Sequence, residues 1–171
     1  MKAALIHEVG PPENIRIEEI EKPNPAKNEV LVRVGAVSIN PIDTYIRGGA
    51  NYFSLPSPYI VGCDLAGTVV GLGEEVTRFS VGDRVWGSNQ GIFGRQGTFA
   101  EYVSVDADWL YQTPDGVGDE TAAAQAAKVA QAQRQLSSHC GHPLAWHGQP
   151  TRFRSITPAV QGTPIFNLSL I

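Results

Sequence analysis

All 17 acidic residues and all four lysines of this 171-residue chain lie before position 129, and beyond Lys128 the only formal charges are Arg134, Arg152 and Arg154. The first 128 residues hold 10 basic residues against 17 acidic ones, a net charge of −7, and the last 43 raise it to −4. Soluble domains carry about one charged residue in four. A 43-residue stretch without a single acid therefore does not read as the second half of the same domain. The fold has to be built from residues 1–128, enough for one domain with its own core. Residues 137–171 are expected to be an atypical tail, disordered or read out of frame after a truncation near Lys128. Its aromatic residues Trp146, Phe153 and Phe166 would then be exposed apolar groups.

The same composition excludes several classes of function. With a net charge of −4 and no basic stripe, nucleic acid is not an expected partner. The apolar run near the N-terminus is too short for a signal peptide or a membrane span, so no membrane partner and a cytoplasmic location are expected. Cys63 and Cys140 make no disulfide framework and are read as reduced thiols.

Within residues 1–128 the pattern is one of short strands separated by Gly and Pro. Residues 2–7 and 15–20 read as strands, the first closed by Gly10-Pro11-Pro12. Glu29 to Ser38 is a longer strand, with Val30, Val32 and Val34 facing one way and Leu31 and Arg33 the other. Asn40-Pro41 ends it, and a helical turn to Arg47 can start with Pro41 at its first position. Gly48 to Pro58 reads as a loop. Asp64 to Leu72 is a third strand region, with Gly67 as a close-approach or bulge position. Val81 to Val85 is a tight turn entering a strand. Gly87 to Gly97 is a glycine-rich loop, and Thr98 to Val105 alternates once more. Pro114-Asp115-Gly116 closes the β region, and Asp119 is a candidate N-cap for an Ala-rich helix over 119–136. Strands of this length and punctuation predict a mainly β fold, a barrel or sandwich over residues 1–118, rather than a parallel sheet.

The segment Ser38-Ile39-Asn40-Pro41-Ile42-Asp43-Thr44-Tyr45-Ile46-Arg47-Gly48-Gly49 resembles the active-site segment of zinc-independent, zeta-crystallin-like quinone oxidoreductases of the medium-chain dehydrogenase/reductase superfamily. Five further segments are similar to the same family in the same order: Lys2-Ala3-Ala4, Gly62-Cys63-Asp64-Leu65-Ala66-Gly67-Thr68-Val69, Val81-Gly82-Asp83-Arg84-Val85, Gly97-Thr98-Phe99-Ala100-Glu101-Tyr102 and Thr121-Ala122-Ala123-Ala124. The resemblance implies a GroES-like β-barrel, the substrate-side domain, followed in complete members by a Rossmann domain that binds NADPH. The implied reaction is hydride transfer from nicotinamide to a quinone or enone held between the two, in proteins that can be homo-oligomers. It implies that Asn40 and Tyr45 line that cleft, catalytic and touching both substrate and the nicotinamide side of the cofactor, with Tyr52 as a further substrate-binding candidate. Taken alone, Asn40-Pro41 fits a simple turn and Tyr45 a core aromatic. Tyr52 fits a loop edge as well as a pocket.

No metal is expected. A catalytic zinc needs three Cys, His or carboxylate ligands. Asn40 stands where the zinc-dependent cousins have a cysteine, and residues 87–97 lack the four cysteines of a structural zinc site. Cys63 reads as a small buried residue. In the tail, His139, Cys140, His142 and His147 are close together but lack the acids that orient ligating histidines. Nor is a dinucleotide site found. Gly71-Leu72-Gly73 runs into Glu74-Glu75 and Gly116-Val117-Gly118 into Asp119-Glu120, negative charges where a pyrophosphate would sit. NADPH is thus the family's cofactor but is not expected to bind this chain alone, which would be inactive by itself. The alternative is a non-enzymatic GroES-like fragment acting as an interaction module.

Overall fold

The computed structural model describes residues 1–50, 54–128 and 165–167. Tyr52, the far end of the expected helix and the His/Cys cluster of the tail lie outside the described residues. The strands are β1 (Lys2–Ile6), β2 (Arg16–Glu19), β3 (Glu29–Ser38), β4 (Tyr59–Ile60), β5 (Asp64–Leu72), β6 (Arg84–Gly87), β7 (Tyr102–Asp106), β8 (Leu110–Gln112) and β9 (Ile165–Asn167). Helix α1 spans Pro41–Arg47, and a second helix, α2, runs over 119–128.

Two antiparallel sheets close on one another as the expected barrel. One has the order β2-β1-β4, the other β7-β3-β5-β6-β8, with β9 added to β3. The seam between them is made by residues 98–101. Ala4 N–H donates to Phe99 O at 2.8 Å, Glu101 N–H donates to Lys2 O at 3.1 Å, and Ala3 bridges Ala100. The expected strand from Thr98 to Val105 is therefore divided. Its first residues cross to β1, Glu101 bonds both sheets by also accepting from Val34 N–H at 3.0 Å, and the ladder with β3 runs from Tyr102 onward. A chain that closes a barrel has to leave one sheet for the other, and a period-two pattern does not reveal where.

Strand β3 has the expected bounds but not the expected faces. Leu31 is buried along with Val30 and Val32, and Ala36, Val37 and Ser38 are buried in succession. Register shifts at Leu31/Val32 and Val34/Ala36 against β5 break the alternation. Past the second shift the strand is covered on both faces, on one of them by Ala122 and Ala123 of α2. Gly67 is a close-approach position, since a Cβ there would run into the Arg33 carbonyl. The main core gathers Leu5, Val30, Val32, Leu65, Val69, Val85, Val103, Val105 and Leu110.

Three short elements carry no sequence signal of their own. Tyr59–Ile60, just beyond the expected loop, pairs with β1, and in β8 Leu110 is buried and Tyr111 stacks on Trp86 at 4.7 Å. In the stretch read as disordered, Ile165–Asn167 pairs with Ala36–Ser38, the part of the β3 edge that β7 leaves open. At α2 the N-cap position is Gly118, whose carbonyl accepts from Ala122 N–H at 3.0 Å. Asp119 is already in the helix, and its carboxylate accepts from Arg84 at 2.5 Å.

Candidate functional site

β3 ends at Ser38, and two residues later Asn40 sits in extended geometry (φ −117°, ψ 157°) as the N-cap of α1, with Pro41 next. Asn40 N–H donates to Asp43 Oδ2 at 2.7 Å, one limb of a capping box. This fixes the turn from strand to helix and leaves the Asn40 side chain at the edge of a small cavity. Asn40, Ile42, Cys63, Asp64, Ser88 and Ala127 line it, from α1, β5, the loop after β6 and α2. The neighbouring Asn89 holds a left-handed φ of 62°, the kind of strained backbone that collects at sites.

Behind the cavity lies a buried polar cluster. Asp64 is 1% exposed, and its carboxylate accepts from Ser88 Oγ at 2.6 Å, Asn40 Nδ2 at 2.8 Å and Ser38 Oγ at 3.2 Å. Ser38 Oγ also reaches the Ala123 carbonyl of α2 at 3.1 Å. Burial raises the pKa of Asp64, and the hydrogen bonds from Ser88, Asn40, Ser38 and the Ala127 backbone oppose that rise. Asp43 is raised in the same direction, again by burial first, with the Asn40 backbone opposing. Between the two acids, Cys63 is a free, buried thiol pushed up by burial and by the carboxylates, so it stays protonated and unreactive.

The sequence candidates separate in space. Asn40 lines the cavity and is half-buried. Tyr45 is 62% exposed on the outer face of α1, not among the cavity-lining residues and not in the core. Ile42, one turn before it, reaches the cavity instead. Asp64, Asp43 and Ser88 were not singled out from the sequence. A signal existed: Asp64 interrupts the run from Val61 to Ala66, and carboxylates almost never enter such surroundings unless partnered.

The cavity is about 60 Å³, room for about two waters, so these walls by themselves do not hold a dinucleotide. Among the described residues no strand, glycine turn and helix unit is present, and no group of three or more His, Cys, Asp or Glu could hold a metal ion. Nor is any helix among them long and apolar enough to cross a membrane.

Residues 26–115 match the alcohol dehydrogenase GroES-like domain. The chain is 36% identical to the quinone oxidoreductase of Sus scrofa over 116 residues, which cover 67% of this chain and 34% of that protein. It superimposes on the quinone oxidoreductase of Pseudomonas syringae with a TM-score of 0.72 and 34% identity, over 81% of this chain and 41% of that one. The Escherichia coli quinone oxidoreductase, solved with NADPH, gives the same TM-score at 31% identity, covering 81% of this chain and 41% of that one. The chain thus spans about a third to two fifths of the length of these relatives.

Proposed function

We propose, from the premise that this chain belongs to the alcohol dehydrogenase GroES-like domain family and to the quinone-oxidoreductase-like branch of the medium-chain dehydrogenase/reductases, that it supplies the substrate-side half of an NADPH-dependent quinone or enone reductase. The observation that carries this reading is the cavity at the end of β3, with Asn40 fixed at its edge by the α1 cap. A quinone has an electron-poor carbonyl, and positioned hydrogen bonds can accommodate its reduction without a metal. Asn40 is assigned to the wall of that cleft, and the exposed Tyr45 hydroxyl to its outer part, away from the cavity and completed by groups outside the described residues. The nicotinamide has to be presented by groups outside the described residues, in a second domain or a second chain.

The test follows NADPH absorbance with the purified chain and a simple quinone, alone and then with a separately produced nucleotide-binding domain of a related reductase. No turnover alone and turnover on mixing is the expected pair of results. Turnover by this chain alone would contradict the assignment of the nucleotide site elsewhere. Absence of turnover in both, with no quinone-induced change at Asn40 or Ile42 by NMR, would favour the rival reading of a non-enzymatic interaction module. The small size of the cavity is the observation on that side.

A further inference from the structure

The chemistry that Asn40 can offer is decided by the residue behind it. Asp64 accepts from Asn40 Nδ2 at 2.8 Å while its other oxygen accepts from Ser88 Oγ at 2.6 Å. An ionised carboxylate has no donor, so the end of the amide that meets it has to be the NH2 end. Ser38 Oγ stands 3.5 Å from the same nitrogen. The amide oxygen is thereby turned the other way, toward the N-terminus of α1, where it faces the Asp43 backbone N–H as the other limb of the capping box, and with two lone pairs it keeps one for a further donor.

We propose that Asp64 is a positioning residue that holds the amino end of the Asn40 amide inward, so that Asn40 meets a ligand only as a hydrogen-bond acceptor through its carbonyl oxygen. The group received beside Asn40 is then a donor, such as a primary carboxamide or a hydroxyl. A quinone carbonyl, which only accepts, is not bound by Asn40 and has to find its donor elsewhere, with the Tyr45 hydroxyl as the candidate. The catalytic meaning of this orientation rests on the placement of Asn40 at the reacting cleft. The orientation itself is a property of the chain alone.

The test reads the side-chain NH2 signal of Asn40 by ¹⁵N NMR in the full 171-residue chain, identified by its loss in Asn40→Asp. A proton held by a buried carboxylate should sit downfield and exchange with water roughly tenfold or more slowly than the NH2 of the exposed Asn24. In Asp64→Asn, nearly the same shape without the charge, the downfield position and the slow exchange should be lost. In Ser88→Ala they should survive, because Ser88 binds the other oxygen. An Asn40 signal in the native chain that exchanges like Asn24 overturns the proposal, and this measurement stands even if Asp64→Asn does not fold. Persistence of the signal in a folded Asp64→Asn overturns it too, as does equal loss in Asp64→Asn and Ser88→Ala, which would mean general loosening. None of these readouts depends on turnover, so a failed quinone assay and a failed orientation are told apart.

Discussion

The two ends of β3 are built on different principles. Its first half, Val30 to Val32, is packed among Leu5, Leu65, Val69, Val103 and Val105, where the driving force is loss of apolar surface to water and any well-shaped side chain serves. Its last residue, Ser38, enters a cluster in which every group is specified by its partner: Asp64 by Ser88 and Asn40, Asn40 by Asp43. An apolar core tolerates exchange at some loss of packing. A buried polar cluster that is partly satisfied is worse than none. One strand thus carries both the foundation of the barrel and the wall of the candidate site. The contrast separates the residues that hold the barrel together from those that give its cavity chemistry.

The strongest way to probe the foundation is Leu65→Ala. Leu65 is fully buried, and such truncations typically cost about 2–5 kcal/mol. A urea melt should show that loss, and a value under about 1 kcal/mol would mean that this end of the barrel can collapse around the gap. Gly67→Ala comes next. The added methyl would meet the Arg33 carbonyl across the ladder, and crowding of this kind costs about 1–3 kcal/mol. The same melt measures it.

The polar end should answer to pH instead. Asp43 and Asp64 both have pKa values raised by burial, so the folded chain binds their protons more tightly than the unfolded chain. Both are protonated at low pH and cost nothing there. As pH rises through the folded-state values, the buried sites must take on charge and stability is lost. Asp43→Asn removes one of those ionisations while keeping the shape. Its stability relative to the native chain should therefore improve from pH 4.5 to pH 8, measured as the difference between paired denaturant melts. A difference that stays constant with pH, or moves the other way, sinks the assignment.

Two smaller effects bound the comparison from outside. Arg84 and Asp119 tie β6 to α2 through a pair whose side chains are 41% and 25% exposed. Asp119→Ala should cost at most about 1 kcal/mol, and less in high salt. Tyr45→Phe changes only an exposed hydroxyl, so stability should move by no more than about 0.5 kcal/mol. Its effect should fall on quinone turnover in an assembled enzyme, as the ratio of native to variant kcat/KM.

Much of the barrel could be read in advance because its signals are local. Proline at the first position of α1, the strand at β1 and the bounds of β3 and β5 all follow from neighbours in sequence. The misses share a cause. β4, β8 and β9 are two or three residues long and exist only because a distant edge needed a partner. The split of residues 98–105 between two sheets is likewise a matter of closure. At the candidate site the segment around Asn40 is legible, but the exposure of Tyr45 is not. A helix of seven residues can present any face until its packing is known.

The sequence by itself determined the family, the strand-rich architecture and the turn that sets Asn40 at the end of β3, since these depend on short-range backbone preferences and a recurring pattern of segments. Only the tertiary structure decided that Asp64, Ser88, Ser38 and Asn40 meet, because their partners lie 2 to 26 residues apart and are brought together by strand pairing. It also decided which end of the Asn40 amide faces inward. A buried carboxylate can only accept, and the donors around it have to turn accordingly.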